Sequence, residues 1–420
     1  MQARLVHDML RTPAIADVTA AARAALAPVL AQAGLRRGAR VALTAGSRGV
    51  ARIDEILRGA CDAVRDAGGE PFVVAAMGSH GNGTGPGQRA MLAHLGVTES
   101  TVGAPIVSEI DVVELGSTQA HGVAVCADAN AARADAIVVV GRVKPHTDFT
   151  GAIESGLLKM TAIGLGKPTG AARYHAAFIK FGAEAIMREV AAAMFAALPI
   201  VAGLAIVEDH RGATHALEAF PTAQIVAGEE RLLRVARELL GRLPFAELDL
   251  LVVDRMGKNF SGTGMDTNVT GRAIDGRSQK VPRPVVRQLY VRDLVPESEG
   301  NATGIGLADF CSRRLADAID WAPTYLNALT GAHPAGARLP IVCEHDRQAI
   351  VNALNAAGTD ERTARAVRID NTLHLETFAA SEAALAVMDG GDRYVADEPT
   401  DALSLRGDDL PVFLAVAAHA

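Results

Sequence analysis

The stretch VALTAGSRGVARIDEILRGACDAVRDAGGEPFVVAAMGSHG, from Val41 to Gly81, decides the fold class. It begins with a short apolar run, continues into a helical pattern that ends at a pair of glycines, and returns to an apolar run at Pro71–Ala76. Short, uniformly apolar runs are typical of buried strands, and the pattern between them fits a helix with a glycine C-cap. The stretch therefore predicts a β-α-β unit.

The same alternation continues along the chain. Further strands are predicted at Ala136–Gly141 and Leu204–Val207, and a second cycle begins with LDLLVVDRMG near Leu248. This cycle continues through ARLPIVCEHD to NTLHLETFA, with helices predicted for LADFCSRRLADAID and DRQAIVNALNAAG. Strands that alternate with helices favour an α/β fold, here two α/β domains with a cleft between them and mostly parallel sheets flanked by helices.

The length sets the domain organisation. A chain of 420 residues with 49% hydrophobic content is long enough for two domains, each with its own core. We expect residues 1–240 to form an N-terminal α/β domain that carries the catalytic and cofactor residues. Residues 241–420 would form a C-terminal α/β domain that closes the cleft.

Charge and cysteine content limit the partners. The net charge of -7 is mild and no long block of one sign occurs, so neither nucleic acid nor an anionic membrane is an expected partner. The uncharged run Val190–Val207 divides at Pro199 into the end of an Ala-rich helix and a strand, which argues against a membrane span. The N-terminus lacks the layout of a secretory signal, and the four cysteines form no CxxC pair, so we expect buried thiols in the cytoplasm.

Polar side chains follow the predicted strands at their carboxyl ends. AGSRG places Arg48 after the first strand, GSHGNGTGPG places His80 after the second, and RVKPHTDFTG places His146 after the third. Each residue alone is ordinary, since a lone Arg is usually a solvated charge and a lone His is often structural. Ligands of open α/β sheets collect in these loops, so the joint placement indicates a site for a small ligand.

Two glycine-rich segments do not match nucleotide-binding motifs. IGLGKPTG has Thr161 where a P-loop requires its first glycine, and Pro168 stands where a P-loop has the Ser or Thr that holds Mg²⁺. GNGTGPG has Pro86 in place of the third glycine of a dinucleotide fingerprint. A P-loop NTPase and a Rossmann-type NAD site are therefore both excluded.

A specific resemblance lies in the order of five motifs. SRG with Arg48, GSHG with His80, KPHTDFTG with His146, GLLKM with Lys159 and ARYH with His175 together resemble the lactate racemase family. Members of that family use a nickel-pincer nucleotide, a pyridinium bis-thiocarboxylate mononucleotide that carries nickel and that dedicated cofactor-synthesis enzymes supply. The resemblance implies an isomerase that racemises or epimerises a small 2-hydroxy acid by reversible hydride transfer to this cofactor.

The resemblance also implies a role for each residue. His80 and His146 would be the two bases, because imidazole exchanges protons near neutral pH. Arg48 would hold the substrate carboxylate. Lys159 would carry the cofactor as a thioamide, and His175 would bind the nickel. The further candidates for the cofactor site are Ser47, Lys258 and Arg272, of which Lys258 and Arg272 are also the candidates for a second cationic contact with substrate.

Some positions depart from the family pattern and leave alternatives open. Ala45 stands where the family has an acidic residue, and the interval between His146 and Lys159 is longer than in the lactate enzyme, which makes Lys167 a second candidate for the tether.

A different class of function is a metal-dependent hydrolase or lyase, with His80, His146 and His175 as ligands and Asp148 as base. A third is a two-domain binding protein of the periplasmic type. The sequence does not identify the 2-hydroxy acid.

Overall fold

The computed structural model describes residues 1–47, 49–273, 283–331 and 333–413. Within it the chain divides into two units. The N-terminal unit comprises Thr12–His146 and Thr150–Leu240, and the C-terminal unit comprises Met1–Arg11, Thr147–Phe149 and Gly241–Ala420.

The strands are short and rich in β-branched and small apolar residues. In chain order they are β1 (Ala3–Asp8), β2 (Arg40–Ala45), β3 (Glu70–Ala75), β4 (Ile106–Val107), β5 (Val112–Ser117), β6 (Ala124–Asp128), β7 (Ala136–Arg142), β8 (Ile200–Glu208), β9 (Thr214–Pro221), β10 (Glu247–Met256), β11 (Val285–Leu294), β12 (Phe310–Ser312), β13 (Ile341–Cys343), β14 (Ala366–Ile369), β15 (Thr377–Ser381) and β16 (Tyr394–Thr400).

The helices range from single turns to about four turns. They are α1 (Val18–Ala33), α2 (Ile53–Asp66), α3 (Gly85–His94), α4 (Glu99–Val102), α5 (Ala129–Ala132), α6 (Leu157–Lys159), α7 (Lys167–Phe181), α8 (Ala183–Ala197), α9 (Ile225–Leu239), α10 (Thr267–Thr270), α11 (Arg313–Asp317), α12 (Trp321–Thr330), α13 (Asp346–Ala357) and α14 (Glu382–Leu385). A π-helical turn, Met160–Gly164, directly follows α6.

The sheet of the N-terminal unit has the order β4-β3-β2-β7-β8-β9. All neighbouring strands are parallel except β9, which pairs antiparallel with β8 at the edge. From β2 the chain moves outward through β3 to β4, and it later returns to the other side of β2 as β7. The order therefore reverses between β2 and β7, and the carboxyl ends of strands at such a point are where α/β sheets bind ligands. A separate antiparallel hairpin joins β5 and β6.

The predicted β-α-β unit is present, and helix α2 shows why it forms. Its buried residues recur at helical spacing, so that one face packs against the sheet while the other stays polar. Asp54 and Glu55 lie in its first turn and Arg65 in its last, in the order that the helix dipole favours. Together with α1, this face covers a core built from β2, β3, β7 and β8.

The sheet of the C-terminal unit has the order β13-β12-β11-β10-β14-β15-β1-β16. The strands from β13 to β14 are parallel, and β15, β1 and β16 each pair antiparallel with their neighbours. Along β10, Leu251 and Val253 face one core and Leu250 and Val252 face another, so both faces of the sheet are covered. The prediction of an α/β fold with mostly parallel sheets flanked by helices is confirmed.

One sequence prediction in the C-terminal unit is wrong. The segment LADFCSRRLADAID contains strand β12 and the short helix α11 instead of one helix, because the Ser312 side chain accepts the Leu315 N–H and starts the helix there. The segment NTLHLETFA begins with a turn, and its last three residues start β15. Buried Asn371 accepts the backbone N–H groups of Leu373 and His374 and so forms this turn.

The uncharged run Val190–Val207 is divided as predicted, between the end of α8 and strand β8. Among the helices that the structure describes, none has the length and apolar character needed to cross a membrane. The four cysteines are free and buried, and burial raises the pKa of the Cys61 and Cys311 thiols to about 12.

Candidate active site

Three loops at the carboxyl ends of β3, β2 and β7 meet the π-helical turn. Glycines at the strand ends make this approach possible: a Cβ at Gly46 would lie 2.8 Å from Met160 Cε, and a Cβ at Gly78 would lie 3.0 Å from Ile163 Cγ2. At the end of β7, a Cβ at Gly141 would lie 3.5 Å from the Cβ of Met160. Because β2 lies between β3 and β7, the loops that carry His80 and His146 flank the loop that carries Ser47.

The first contact within this site joins His146 to Lys159. The Lys159 Nζ lies 2.6 Å from the His146 Nε2, and both side chains are half-buried. A hydrogen bond between two nitrogens requires a lone pair on one of them, so an ammonium and an imidazolium together could not form it. At least one member of the pair is therefore neutral in this arrangement.

The loop that carries His146 is held by a buried carboxylate. Glu154 accepts the backbone N–H of His146 at 2.5 Å and that of Gly151 at 3.0 Å. Arg237, on α9, donates to Glu154 at 2.6 Å and to the Gly151 carbonyl at 2.5 Å. Backbone hydrogen bonds between Lys144 and Ser155 close the base of the loop. The backbone of His146 is thus fixed by several bonds.

Helix α9, which carries Arg237, also binds the turn that carries Lys159. The Glu229 carboxyl, on α9, accepts the Leu158 N–H at 2.8 Å. Glu229 is fully buried, and this burial raises its pKa to about 7, against the opposing effect of the N–H groups of Leu158 and Leu157. A Cβ at Gly156 would lie 2.2 Å from Glu229 Oε1, so glycine is required there for the carboxyl group to approach.

The π-helical turn after Lys159 changes the direction of its neighbours. The Leu165 N–H donates to the Met160 carbonyl at 3.0 Å, a span of five residues instead of the four of an α-helix. Single π-turns inside helices are frequent at functional sites, because the extra residue shifts the side chains that follow.

The second contact joins Ser47 to His80. The Ser47 Oγ lies 2.6 Å from the His80 Nδ1. Buried Gln88 holds the backbone of the same loop, since its Nε2 donates to the Gly78 carbonyl at 2.9 Å and to the His80 carbonyl at 3.3 Å. The imidazole is therefore oriented through Nδ1, on a loop that is tied to helix α3.

Lys167 lies beneath this loop, where buried groups bind its side chain. Its side chain is fully buried, and its Nζ lies 3.0 Å from the Asp128 Oδ2 and 2.7 Å from the Ala75 carbonyl. It also donates to the Gln88 Oε1 at 3.3 Å. The Lys167 backbone adopts φ 56°, which is unfavourable for a residue with a side chain and is maintained here by these contacts. This geometry suits a tether less well than that of Lys159.

His175 lies on α7, two turns after Lys167, and its half-buried ring packs edge-on against Phe178 with 5.5 Å between the ring centroids. Helix α7 is anchored to β6 by Tyr174, whose hydroxyl accepts the Cys126 N–H at 3.0 Å and donates to the Cys126 carbonyl at 3.2 Å. The predicted metal ligand therefore lies on an anchored helix, which begins after the turn that follows the Lys159 segment.

Arg48, the predicted carboxylate-binding residue, lies outside the described residues. The loop that follows it is fixed by Glu208 at the end of β8, which accepts the Ala51 N–H at 2.6 Å and pairs with Arg142 at the end of β7. Ala45, which stands where the resembling family has an acidic residue, is buried within β2.

The candidates in the C-terminal unit differ in their partners. Arg272 binds both carboxylate oxygens of Asp309, at 3.1 and 2.5 Å. Lys258 follows β10, and its Nζ donates to the Gly262 carbonyl at 2.7 Å and also contacts the Asn327 side chain. Asp148 lies in the same unit, with its Oδ2 3.8 Å from the His333 Nε2. Arg272 therefore forms an ion pair with Asp309. The contacts of Lys258 with Gly262 and Asn327 are with neutral oxygens.

Among the residues that the structure describes, no three His, Cys, Asp or Glu side chains are grouped so that they could hold a metal ion. His80, His146 and His175 consequently do not form the ligand set that a hydrolase or lyase of the alternative class would need. A metal that a cofactor already coordinates needs only one further ligand from the protein. Such a site therefore does not require three ligating side chains close together.

Sequence reasoning missed the residues that support this site, chiefly Glu154, Arg237, Glu208 and Glu229. The position of Glu208 was a signal that could have identified it, because Glu208 ends a fourth parallel strand in the run GLAIVEDHRG. The hydrophobic periodicity of α9 could have identified Glu229, because helical spacing places this residue on the apolar face with Leu232, Leu233 and Ala236. Glu154 and Arg237 carried no comparable signal.

Comparisons with known proteins give two similarities. Residues 46–233 match the model of a domain of unknown function, DUF362, and this region contains Ser47, His80, His146, Lys159 and His175. Among solved structures, the chain is similar to the lactate racemase apoprotein from Thermoanaerobacterium thermosaccharolyticum, with a TM-score of 0.43 and 13% identity over 76% of this chain and 75% of that one. No curated protein matches the sequence.

Proposed function

We propose that this protein is an isomerase that racemises or epimerises a 2-hydroxy acid, with a nickel-pincer nucleotide as its cofactor. The observation that carries the proposal is the strand order β3-β2-β7, which puts His80 and His146 on opposite sides of the Ser47 loop. Interconversion of two enantiomers through a planar 2-oxo acid needs a proton-exchanging group for each hand of substrate. Two histidines that flank one loop meet this requirement.

The residues present fit the nucleotide in two respects. Lys159 offers a primary amine 2.6 Å from an imidazole that can take its proton, which is what attachment through that amine requires. His175 offers one imidazole on α7, and one protein ligand is enough when sulfur and carbon donors come from the nucleotide. When bound, the nucleotide supplies a hydride acceptor for C2 of the substrate.

The chain's own residues would move the hydroxyl proton. His80, oriented by Ser47 through Nδ1, would exchange a proton through Nε2 with one enantiomer. The backbone N–H of His146 binds Glu154, and the His146 imidazole would exchange a proton with the other enantiomer. Arg48 would bind the carboxylate, since its guanidinium can donate two parallel hydrogen bonds. Lys258 and Arg272 are both candidates for a second cationic contact with substrate, and Arg272 is paired with Asp309.

The test uses protein produced together with the cofactor-synthesis enzymes and a panel of 2-hydroxy acids deuterated at C2, beginning with lactate. We expect racemisation of at least one acid with the deuterium largely retained at C2. The variants His80→Ala and His146→Ala should each slow interconversion in both directions by about 10²-fold or more, because each turnover uses both groups. Complete exchange of the label with solvent, at the rate of racemisation, would contradict the proposal.

A further inference from the structure

Helix α3 begins directly behind the loop that carries His80. The Thr84 Oγ1 caps this helix by accepting the Gly87 N–H at 3.1 Å. A Cβ at Gly87 would lie 2.0 Å from the Gly81 carbonyl oxygen, so glycine is required for the helix to lie this close to the loop. The next residue of the helix, Gln88, is fully buried, and its side chain binds the backbone of the loop.

The amide group of Gln88 makes hydrogen bonds at both of its ends. Its Nε2 donates to the Gly78 carbonyl at 2.9 Å and to the His80 carbonyl at 3.3 Å. Its Oε1 accepts a hydrogen bond from the Lys167 Nζ at 3.3 Å. The two N–H groups of the amide therefore bind the loop, while the amide oxygen binds a cation.

The ammonium group of Lys167 sets the orientation of this amide. An ammonium can donate hydrogen bonds but cannot accept them, so it binds the oxygen of the amide and leaves the nitrogen to face the loop. The ammonium itself is fixed by the Asp128 Oδ2 at 3.0 Å and by the Ala75 carbonyl at 2.7 Å. The Lys167 and Asp128 side chains are both fully buried, where such polar contacts are stronger than in water.

We infer that Gln88 positions the His80 imidazole through the backbone of the loop, and that the Lys167 ammonium orients the Gln88 amide for this purpose. The inference rests on the proposed function, in which His80 is one of the two bases, and it adds Gln88 to that site as a positioning residue. It also gives Lys167 a role other than that of a tether. The contacts that carry it involve neither cofactor nor substrate.

The donor groups of the amide distinguish this role from simple filling of space. Methionine has a similar length but no donor, and a carboxylate has the shape of the amide but can only accept. Either substitution would deprive the Gly78 and His80 carbonyls of the amide. The His80 carbonyl also accepts the Gly83 N–H at 3.3 Å, so we expect the loop to shift and to keep its turn.

The experiment observes the His80 imidazole in the full-length apoprotein, produced with ¹⁵N-labelled histidine. Long-range proton–nitrogen NMR spectra are recorded at about pH 8, where an unperturbed imidazole is neutral. The nitrogen shifts report which ring nitrogen carries the hydrogen and whether Nδ1 is hydrogen-bonded. His80→Asn identifies the His80 signals, and Ser47→Ala gives their position when the contact between Ser47 and Nδ1 is absent.

We expect Gln88→Met and Gln88→Glu each to move the His80 Nδ1 signal from its wild-type position toward its position in Ser47→Ala. Lys167→Met should move the signal in the same direction, because the amide then lacks the group that orients it. The internal control is His215 on the edge strand β9, whose Nδ1 lies 2.9 Å from the Pro13 carbonyl oxygen. Its signals, assigned from His215→Asn, should stay unchanged in all three variants.

Wild-type His80 signals in Gln88 variants whose His215 signals are unchanged would overturn the inference and leave Gln88 as a residue that fills space. A His80 signal that moves only when the His215 signals also move would count against it as well, because this indicates a general loss of structure. Gln88→Glu is decisive if Gln88→Met does not fold, because the carboxylate keeps a partner for the Lys167 ammonium. Since neither cofactor nor substrate is present, failure of the racemase proposal would not change this result.

Discussion

The Nζ of Lys159 lies 2.6 Å from the Nε2 of His146, although thirteen positions separate the two residues in the chain. The contact links the residue proposed as cofactor tether to one of the two proposed bases. It is maintained by α9, which binds the Leu158 N–H through Glu229 and the Gly151 carbonyl through Arg237. The pair is thus a property of the N-terminal unit by itself.

The tether is tested by mass analysis of protein produced with the cofactor-synthesis enzymes. We expect an adduct on the peptide that contains Lys159, because its amine lies beside an acceptor for its proton. Lys159→Ala should lose the adduct and keep its fold, since the side chain is only half-buried. An adduct that persists in Lys159→Ala, or one found on Lys167, would refute the assignment.

The structural role of Lys167 gives a separate prediction. Lys167→Met should lower the free energy of unfolding by about 3–5 kcal/mol, because it leaves the buried Asp128 carboxylate without its cation. Urea denaturation measures this loss. Lys180→Met, an exposed position on the same helix, should change stability by less than about 0.5 kcal/mol. A Lys167→Met protein as stable as the wild type would show that the ion pair does not support the site.

Sequence reasoning found the strands around the site because parallel strands buried on both faces are continuous apolar runs. It also predicted that His80 and His146 lie in the loops that follow those strands, and the structure places them there. It could not find that β1 pairs with β15 and β16 in the C-terminal sheet, since register such as Ala3 opposite Ser381 depends on partners that a local pattern does not specify. The link from Arg237 to the His146 loop was hidden for the same reason.

The hydroxyl of Ser47 gives a prediction about orientation. Ser47→Ala removes the group that contacts the His80 Nδ1, so we expect kcat for racemisation to fall by about tenfold in both directions, with little change in KM. Ser47→Thr keeps a hydroxyl and should restore most of the rate. Equal loss in the Ala and Thr variants would indicate that the bulk of the side chain matters and the hydrogen bond does not.

The buried carboxyl group of Glu229 makes stability depend on pH in a direction that can be derived. Burial raises its pKa from 4.5 to about 7, so between these values the folded protein holds a proton that the unfolded chain has lost. Stability from this group is therefore greatest below pH 4.5 and falls as the pH rises toward 7. Glu229→Gln cannot ionise and lacks this decline.

The measurable quantity is the difference in free energy of unfolding between Glu229→Gln and the wild type, obtained by urea denaturation at several pH values. Near pH 5 the difference should be small, because protonated glutamic acid and glutamine are both neutral and can both accept the Leu158 N–H. By pH 8 it should have moved in favour of the variant by on the order of 3 kcal/mol. Carboxylates with lowered pKa, such as Asp346, titrate in both proteins and cancel. A difference that stays constant from pH 5 to pH 8 would mean that Glu229 is ionised throughout and would contradict the prediction.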